Sequence, residues 1–142
     1  MAADLDLPVE VVGCPVVREH DGVAMSSRNA YLSVAERERA RGLFAGLRAA
    51  AAAVEDGERD AARVGAVLEV ETARHGLELE YAEVRRAADL APVTELDGEI
   101  VVALAAPLGR ARLIDNITMQ IAGAEVTVDL GVVTLATQES SN

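Results

Sequence analysis

The spacing of apolar and polar positions changes three times along the chain. Residues 7–17, LPVEVVGCPVV, carry β-branched side chains on both parities between Pro8 and the region of Pro15. That pattern predicts a strand buried on both faces, as inside a parallel sheet. A polar turn, REHDG, leads into the stretch GVAMSSRNAYLS at 22–33. Ser33 and Glu36 then make an S-x-x-E capping box, which predicts a helix start. The helix runs through Val34, Arg37, Leu43, Leu47 and an alanine run to Asp56, and Gly57 stops it. A second helix is predicted over 58–75, with Val64, Val67, Leu68 and Val70 apolar and Gly76 at its end.

Beyond Gly76 the period falls to two. LELEYAEVRR puts Leu77, Leu79, Tyr81 and Val84 at inward positions, the last out of step in the manner of a bulge. GEIVVALAAPLG and RARLIDNITMQIA read as two further strands joined by a tight turn around Pro107 to Arg110. The expected class is α+β: two helices packed on a small three-stranded antiparallel sheet, preceded by one strand that is the last of a sheet whose other strands are missing. The tail, EVTVDLGVVTLATQESSN, alternates in its middle and ends in a polar stretch expected to be disordered. A strand buried on both faces needs neighbours, and nothing before Asp6 supplies them, so the chain reads as the second half of a larger unit.

Composition narrows the class. Half of the 142 residues are apolar (51%) but only 2% are aromatic, so the core must be built from Ala, Val and Leu. The formal net charge of −11 argues against a general nucleic-acid or anionic-membrane binder, both of which need a basic face. A single cysteine, Cys14, allows no internal disulfide framework. Acidic residues stand where a signal peptide would be basic, and no apolar run reaches a membrane span, so a cytoplasmic location is expected.

The candidate chemistry lies in AMSSRN. Ser26, Ser27, Arg28 and Asn29 occupy one short loop between a strand and a capped helix. Small hydroxyl residues with exposed amides can cradle phosphate oxygens, and an arginine adds bidentate charge-assisted hydrogen bonds. A helix N-terminus nearby also favours an anion. On these residues alone a solvated turn, with Arg28 pairing to Asp21 or a nearby glutamate and the serines bonding their own backbone, is the competing structure.

The segment VVGCPVVREHDGVAMSSRNAYLS closely resembles the part of the pantothenate synthetase (pantoate–β-alanine ligase) family that carries its KMSKS-like loop. LEYAEVRRAADLAPV and GEIVVALAAPLGRARLIDNI resemble that family's C-terminal domain, in order, over roughly residues 5–121. The resemblance implies a nucleotidylyltransferase-type ligase that condenses pantoate with β-alanine through a pantoyl adenylate, with Mg·ATP as co-substrate. It divides the chain into a remnant of the Rossmann-like domain (1–24), a C-terminal α+β domain (25–122) and a tail (123–142). It assigns ATP binding to Val17, whose backbone lies against the adenine, and to Met25, Ser26, Ser27 and Arg28 at the phosphates. Asn29 is assigned to loop geometry.

The same family carries an H-x-G-H pair, and here only His20 and His75 occur, far apart. The chain alone is therefore expected to be inactive, with no certain catalytic residue and no metal ligand of its own. A non-catalytic interaction module keeping the fold is the alternative. The unpaired strand edge of 9–17 predicts a homodimer or swapped assembly. Cys14 is expected to be a small buried hydrophobe, His20 a surface residue and His75 a helix cap. Asp115 and Asn116 are expected to serve turn or strand-edge hydrogen bonding.

Overall fold

Ser33 and Asp60 set where the two helices begin in the computed structural model, which describes residues 5–134. Helix α1 spans Val34–Glu55; the Ser33 N–H donates to Glu36 Oε2 at 2.8 Å and Ser33 Oγ accepts from the Glu36 N–H at 3.3 Å, completing the capping box. Helix α2 spans Ala61–Arg74, three residues shorter at its start than the sequence suggests. The reason is local: Asp60 Oδ1 accepts from the Ala62 and Arg63 amides, and Glu58 Oε1 accepts from Arg59 and Asp60. Residues 58–60 are thus a capped turn. His75 closes α2, as expected.

The strands are β1 Val17–Arg18, β2 Tyr81–Arg86, β3 Gly98–Leu108, β4 Ala111–Ala122, β5 Glu125–Asp129 and β6 Val132–Val133. The main sheet is antiparallel in the order β2-β3-β4-β5, so it has four strands where three were expected. The fourth comes from the tail. Gly123 takes φ +62, the chain reverses, and Val126 and Val128 alternate onto the core. The β3–β4 turn itself is Gly109–Arg110, with Pro107 already in the strand opposite Arg112. The polar end of the tail, expected to be disordered, lies outside the described residues.

Two further expectations fail. Residues 7–16 form no strand, and Leu7, Val9, Val11 and Val12 are exposed. Among the described residues no strand lies beside residues 7–15, and unpaired backbone edges do not hold a β conformation. Strand β2 carries no bulge: it pairs with β3 in unbroken register from Tyr81↔Ala105 to Arg86↔Ile100. Period two then puts Ala82 and Val84 on the core face and Tyr81 on the other.

Both helices cover one face of the sheet. Its core rows are Ile100, Val102, Leu104, Ala106 and Leu108 from β3, opposite Met119, Ile117, Asp115, Leu113 and Ala111 from β4. Every member of the two rows is apolar except Asp115. Small residues let α1 and α2 approach closely: a Cβ on Gly46 would stand 2.6 Å from Thr72 Cγ2, and one on Gly42 would stand 2.4 Å from His75 Cβ. A core poor in aromatics is filled by closeness instead of bulk.

Candidate functional site

The loop that the sequence singles out hangs from β1. After Arg18 the chain turns at Gly22 (φ +91), where the Phe44 ring packs so closely that a side chain would collide with it. It returns antiparallel: the Glu19 N–H donates to Val23 O and the Met25 N–H to Val17 O, both at 2.8 Å. Ser26 then caps a short 3₁₀ turn over Ser27–Tyr31, its Oγ accepting from the Arg28 N–H at 3.2 Å. One serine therefore does bond its own backbone, while its place on the turn leaves Ser27 and Arg28 exposed.

A charged network buttresses the turn from below. Asn29, buried, donates from Nδ2 to Glu19 Oε1 (2.6 Å) and to Ala24 O (2.9 Å), which is the geometric role expected of it. Arg37 of α1 donates to Glu19 Oε2 at 2.7 Å and to both carboxylate oxygens of Asp21 at 2.7 and 2.8 Å. The hydrogen bond from Arg37, then that from Asn29, holds the Glu19 carboxyl below its usual range. For Asp21 burial acts upward, but the bonds from Arg37 and the Val23 N–H outweigh it and its pKa is also lowered. Asp21 is thus engaged by Arg37, and the alternative pairing of Arg28 with Asp21 does not form. Among the described residues the Arg28 guanidinium has no hydrogen-bond or ion-pair partner.

Beside the loop lies a cavity of about 210 Å³, walled by Met25, Ser26 and Arg28 on one side and by Arg112, Ile114 and Asp115 of β4 on the other. It is smaller than the roughly 300–1,000 Å³ typical of drug-sized ligand pockets. Of the predicted residues the structure brings Met25, Ser26 and Arg28 to this cavity. Ser27 sits one residue along on the exposed turn, and Val17 lies behind it in β1. The N-terminus of α1 takes no part, because Glu36 already places a carboxylate there.

The sequence gives no sign of two residues, Arg112 and Arg18, and it assigns a third, Asp115, the wrong role. Arg112 stands at the cavity mouth, donating in bidentate fashion to Glu80 at 2.7 and 2.9 Å. Arg18 and Asp115 lie underneath: Arg18 Nη1 to Asp115 Oδ2 is 2.6 Å, with side-chain exposures of 0% and 1%. Asp115 is therefore a buried ion-pair partner in mid-strand, and not the edge or turn residue expected. Arg18 also stacks on Phe44, its guanidinium carbon 4.0 Å from the ring centroid. The signal was present, since Leu113, Asp115, Ile117 and Met119 share one parity, and a carboxylate in that row needs a partner or a proton. Cys14 is exposed rather than buried, because the strand that would have enclosed it is not formed.

A sequence model described as pantoate-beta-alanine ligase matches residues 1–118. The chain is 46% identical over 121 residues to a pantothenate synthetase of Methylococcus capsulatus, covering 85% of this chain and 42% of that protein. It is 48% identical over 120 residues to a pantothenate synthetase of Geobacillus thermodenitrificans, covering 83% and 41%. The crystal structure of pantothenate synthetase from Thermus thermophilus superposes with a TM-score of 0.75 at 34% identity, over 81% of this chain and 42% of that one. The chain thus spans about two-fifths of the length of these relatives. From the strand–loop–helix geometry and these matches together, the chain belongs to the pantoate–β-alanine ligase family.

Proposed function

We propose that this chain supplies the phosphate-gripping loop and C-terminal domain of a ligase that joins pantoate to β-alanine. Pantoate carboxylate oxygen attacks the α-phosphorus of Mg·ATP, and the bond to the β-phosphate oxygen breaks, releasing pyrophosphate. The amine of β-alanine then attacks the acyl carbon of the adenylate; AMP departs with the electron pair of the acyl–oxygen bond, and the nitrogen loses a proton. In both steps the protein's task is to position the reactants and neutralise phosphate charge.

Arg28 carries the proposal: an exposed guanidinium with no partner among the described residues, on a turn braced by Asn29, Glu19 and Arg37, facing the cavity. In this reading Arg28 forks onto phosphate oxygens, the Ser26 and Ser27 hydroxyls donate to them, and Met25 packs beside them. The Val17 backbone lies against the adenine. In this reading pantoate binding and the opposing wall with the H-x-G-H pair fall in the part of the relatives' length that these 142 residues do not span. The chain alone is accordingly proposed to make no pantothenate, and to work in a cytoplasmic assembly. Release of AMP dependent on both pantoate and β-alanine, from the pure chain, would refute that division of labour.

The decisive comparison is Arg28→Ala against wild type for Mg·ATP binding. Removing Arg28 should weaken Mg·ATP binding, and loss of one charge-stabilising donor of this kind costs roughly 10²–10³-fold in kcat in a complete active site. Unchanged nucleotide affinity would remove Arg28 from the site.

A further inference from the structure

Strand β1 is the middle member of a ribbon, and its two edges connect the tail to the phosphate loop. On one edge hang Val23–Met25, the lead into Ser26, through the Glu19–Val23 and Met25–Val17 hydrogen bonds. On the other edge lies β6, parallel to β1 in the register Val17↔Val132 and Arg18↔Val133. The Val132 N–H donates to Val16 O at 2.8 Å, and the Thr134 N–H and hydroxyl both donate to Arg18 O at 2.8 and 2.9 Å.

Arg18 spans the ribbon from beneath. Its Nε donates to Leu130 O at 2.5 Å, its Nη1 to Gly22 O at 3.2 Å and to Asp115, and its Nη2 to Asn116 O at 3.3 Å. One guanidinium thus ties the tail, the turn before the loop and the core sheet together. A lysine has no planar fork and could not serve all of these acceptors. The family match ends at residue 118, within β4, so β5 and β6 lie beyond it and the match gives the returning segment no role.

We propose that Leu130–Thr134 is a strap that positions the phosphate loop, and that Arg18 is the positioning residue through which it acts. Without β6, the two-residue β1 would keep only the loop itself as a ladder partner, and an isolated two-stranded pairing is marginal in water. The loop would then wander with β1, although α1, α2 and the main sheet stay packed. The geometric claim stands apart from the nucleotide; its consequence for binding rests on the phosphate reading above.

Gly131 offers the sharpest variant. It sits at φ +84, and a Cβ there would stand 2.3 Å from the Val16 carbonyl oxygen, so Gly131→Ala lifts the strap from β1 without touching the loop. Arg18→Lys is the conservative partner, keeping a cation opposite Asp115 but losing the fork. In the full chain, amide hydrogen exchange at Glu19 and Met25 should quicken several-fold in both variants, with Ile100–Leu108 still protected. Unchanged exchange at Glu19 and Met25 alongside lost protection at Val132 and Thr134 would overturn the strap. Should both variants lose core protection, Thr134→Val, which removes only the hydroxyl bond, decides in the same way.

Titration with Mg·ATP separates the two claims. Weaker binding by Gly131→Ala than by wild type supports both. Faster loop exchange with no nucleotide binding by any form supports the strap and refutes the phosphate reading. Equal binding by both forms despite a loosened loop refutes the strap's positioning role.

Discussion

Arg18 and Asp115, 97 positions apart in sequence, form a hydrogen-bonded ion pair closed off from solvent between the loop ribbon and the core sheet. Such a pair is weak evidence of net stabilisation, but removing one partner strands the other charge in the interior. Asp115→Ala should destabilise the fold by about 3–5 kcal/mol in urea denaturation. Joint replacement, Arg18→Met with Asp115→Leu, should cost less than Asp115→Ala alone. A double loss equal to the sum of the losses in the Arg18→Met and Asp115→Leu single variants would show that the pair is not coupled.

Glu19 and Asp21 give the loop an acid-sensitive footing. Their folded-state pKa values are lowered, so the stability they contribute is present above the ordinary carboxylate range and is lost as pH falls through the depressed values. Asp115 has the opposite sign: burial raises its pKa against the pull of Arg18, so its contribution is present at low pH and is lost as pH rises through the raised value. Urea midpoints followed downward from neutrality should therefore fall less steeply in Arg37→Ala than in wild type, the variant lacking the common partner of Glu19 and Asp21. Identical acid dependence would mean that Arg37 does not set those two carboxyls.

The helical layer depends on one cap and one close approach. Ser33→Ala should cost about 1 kcal/mol through loss of the capping box. Gly46→Ala, whose new methyl would meet Thr72 Cγ2 at 2.6 Å, should cost about 1–3 kcal/mol despite the better helix propensity of alanine. A stabilised Gly46→Ala protein would contradict the α1–α2 spacing.

Much of this was legible beforehand, and the limits have physical causes. Caps, glycine stops and strict alternation are local signals, and they located both helices, β3 and β4 to within a few residues. The apolar run of 7–17 overstates β1, because apolar composition cannot report whether a neighbouring strand exists. The fourth sheet strand was visible only as tail alternation, and its pairing is a tertiary fact. At the site, AMSSRN announces itself as a run of small polar residues beside an arginine. Arg18 does not, because its importance comes from acceptors at Gly22, Asn116 and Leu130 that only folding brings together.

The exposed stretch of Leu7, Val9, Val11 and Val12 leaves β-branched surface open to solvent. We expect concentration-dependent self-association in sedimentation velocity, reduced in the double variant Val11→Ser, Val12→Ser. A sharp monomer at high concentration would dismiss the dimer or swapped assembly.

The most direct test of the central claim is an amide NMR titration of the chain with Mg·ATP, comparing wild type with Arg28→Ala. Because the turn is already braced by Asn29, Glu19 and Arg37, shifts should appear at Val17 and at Ser26 to Asn29, and should vanish in Arg28→Ala. Absence of shifts in the wild type, or shifts that survive the substitution, would contradict a phosphate-binding role for this loop.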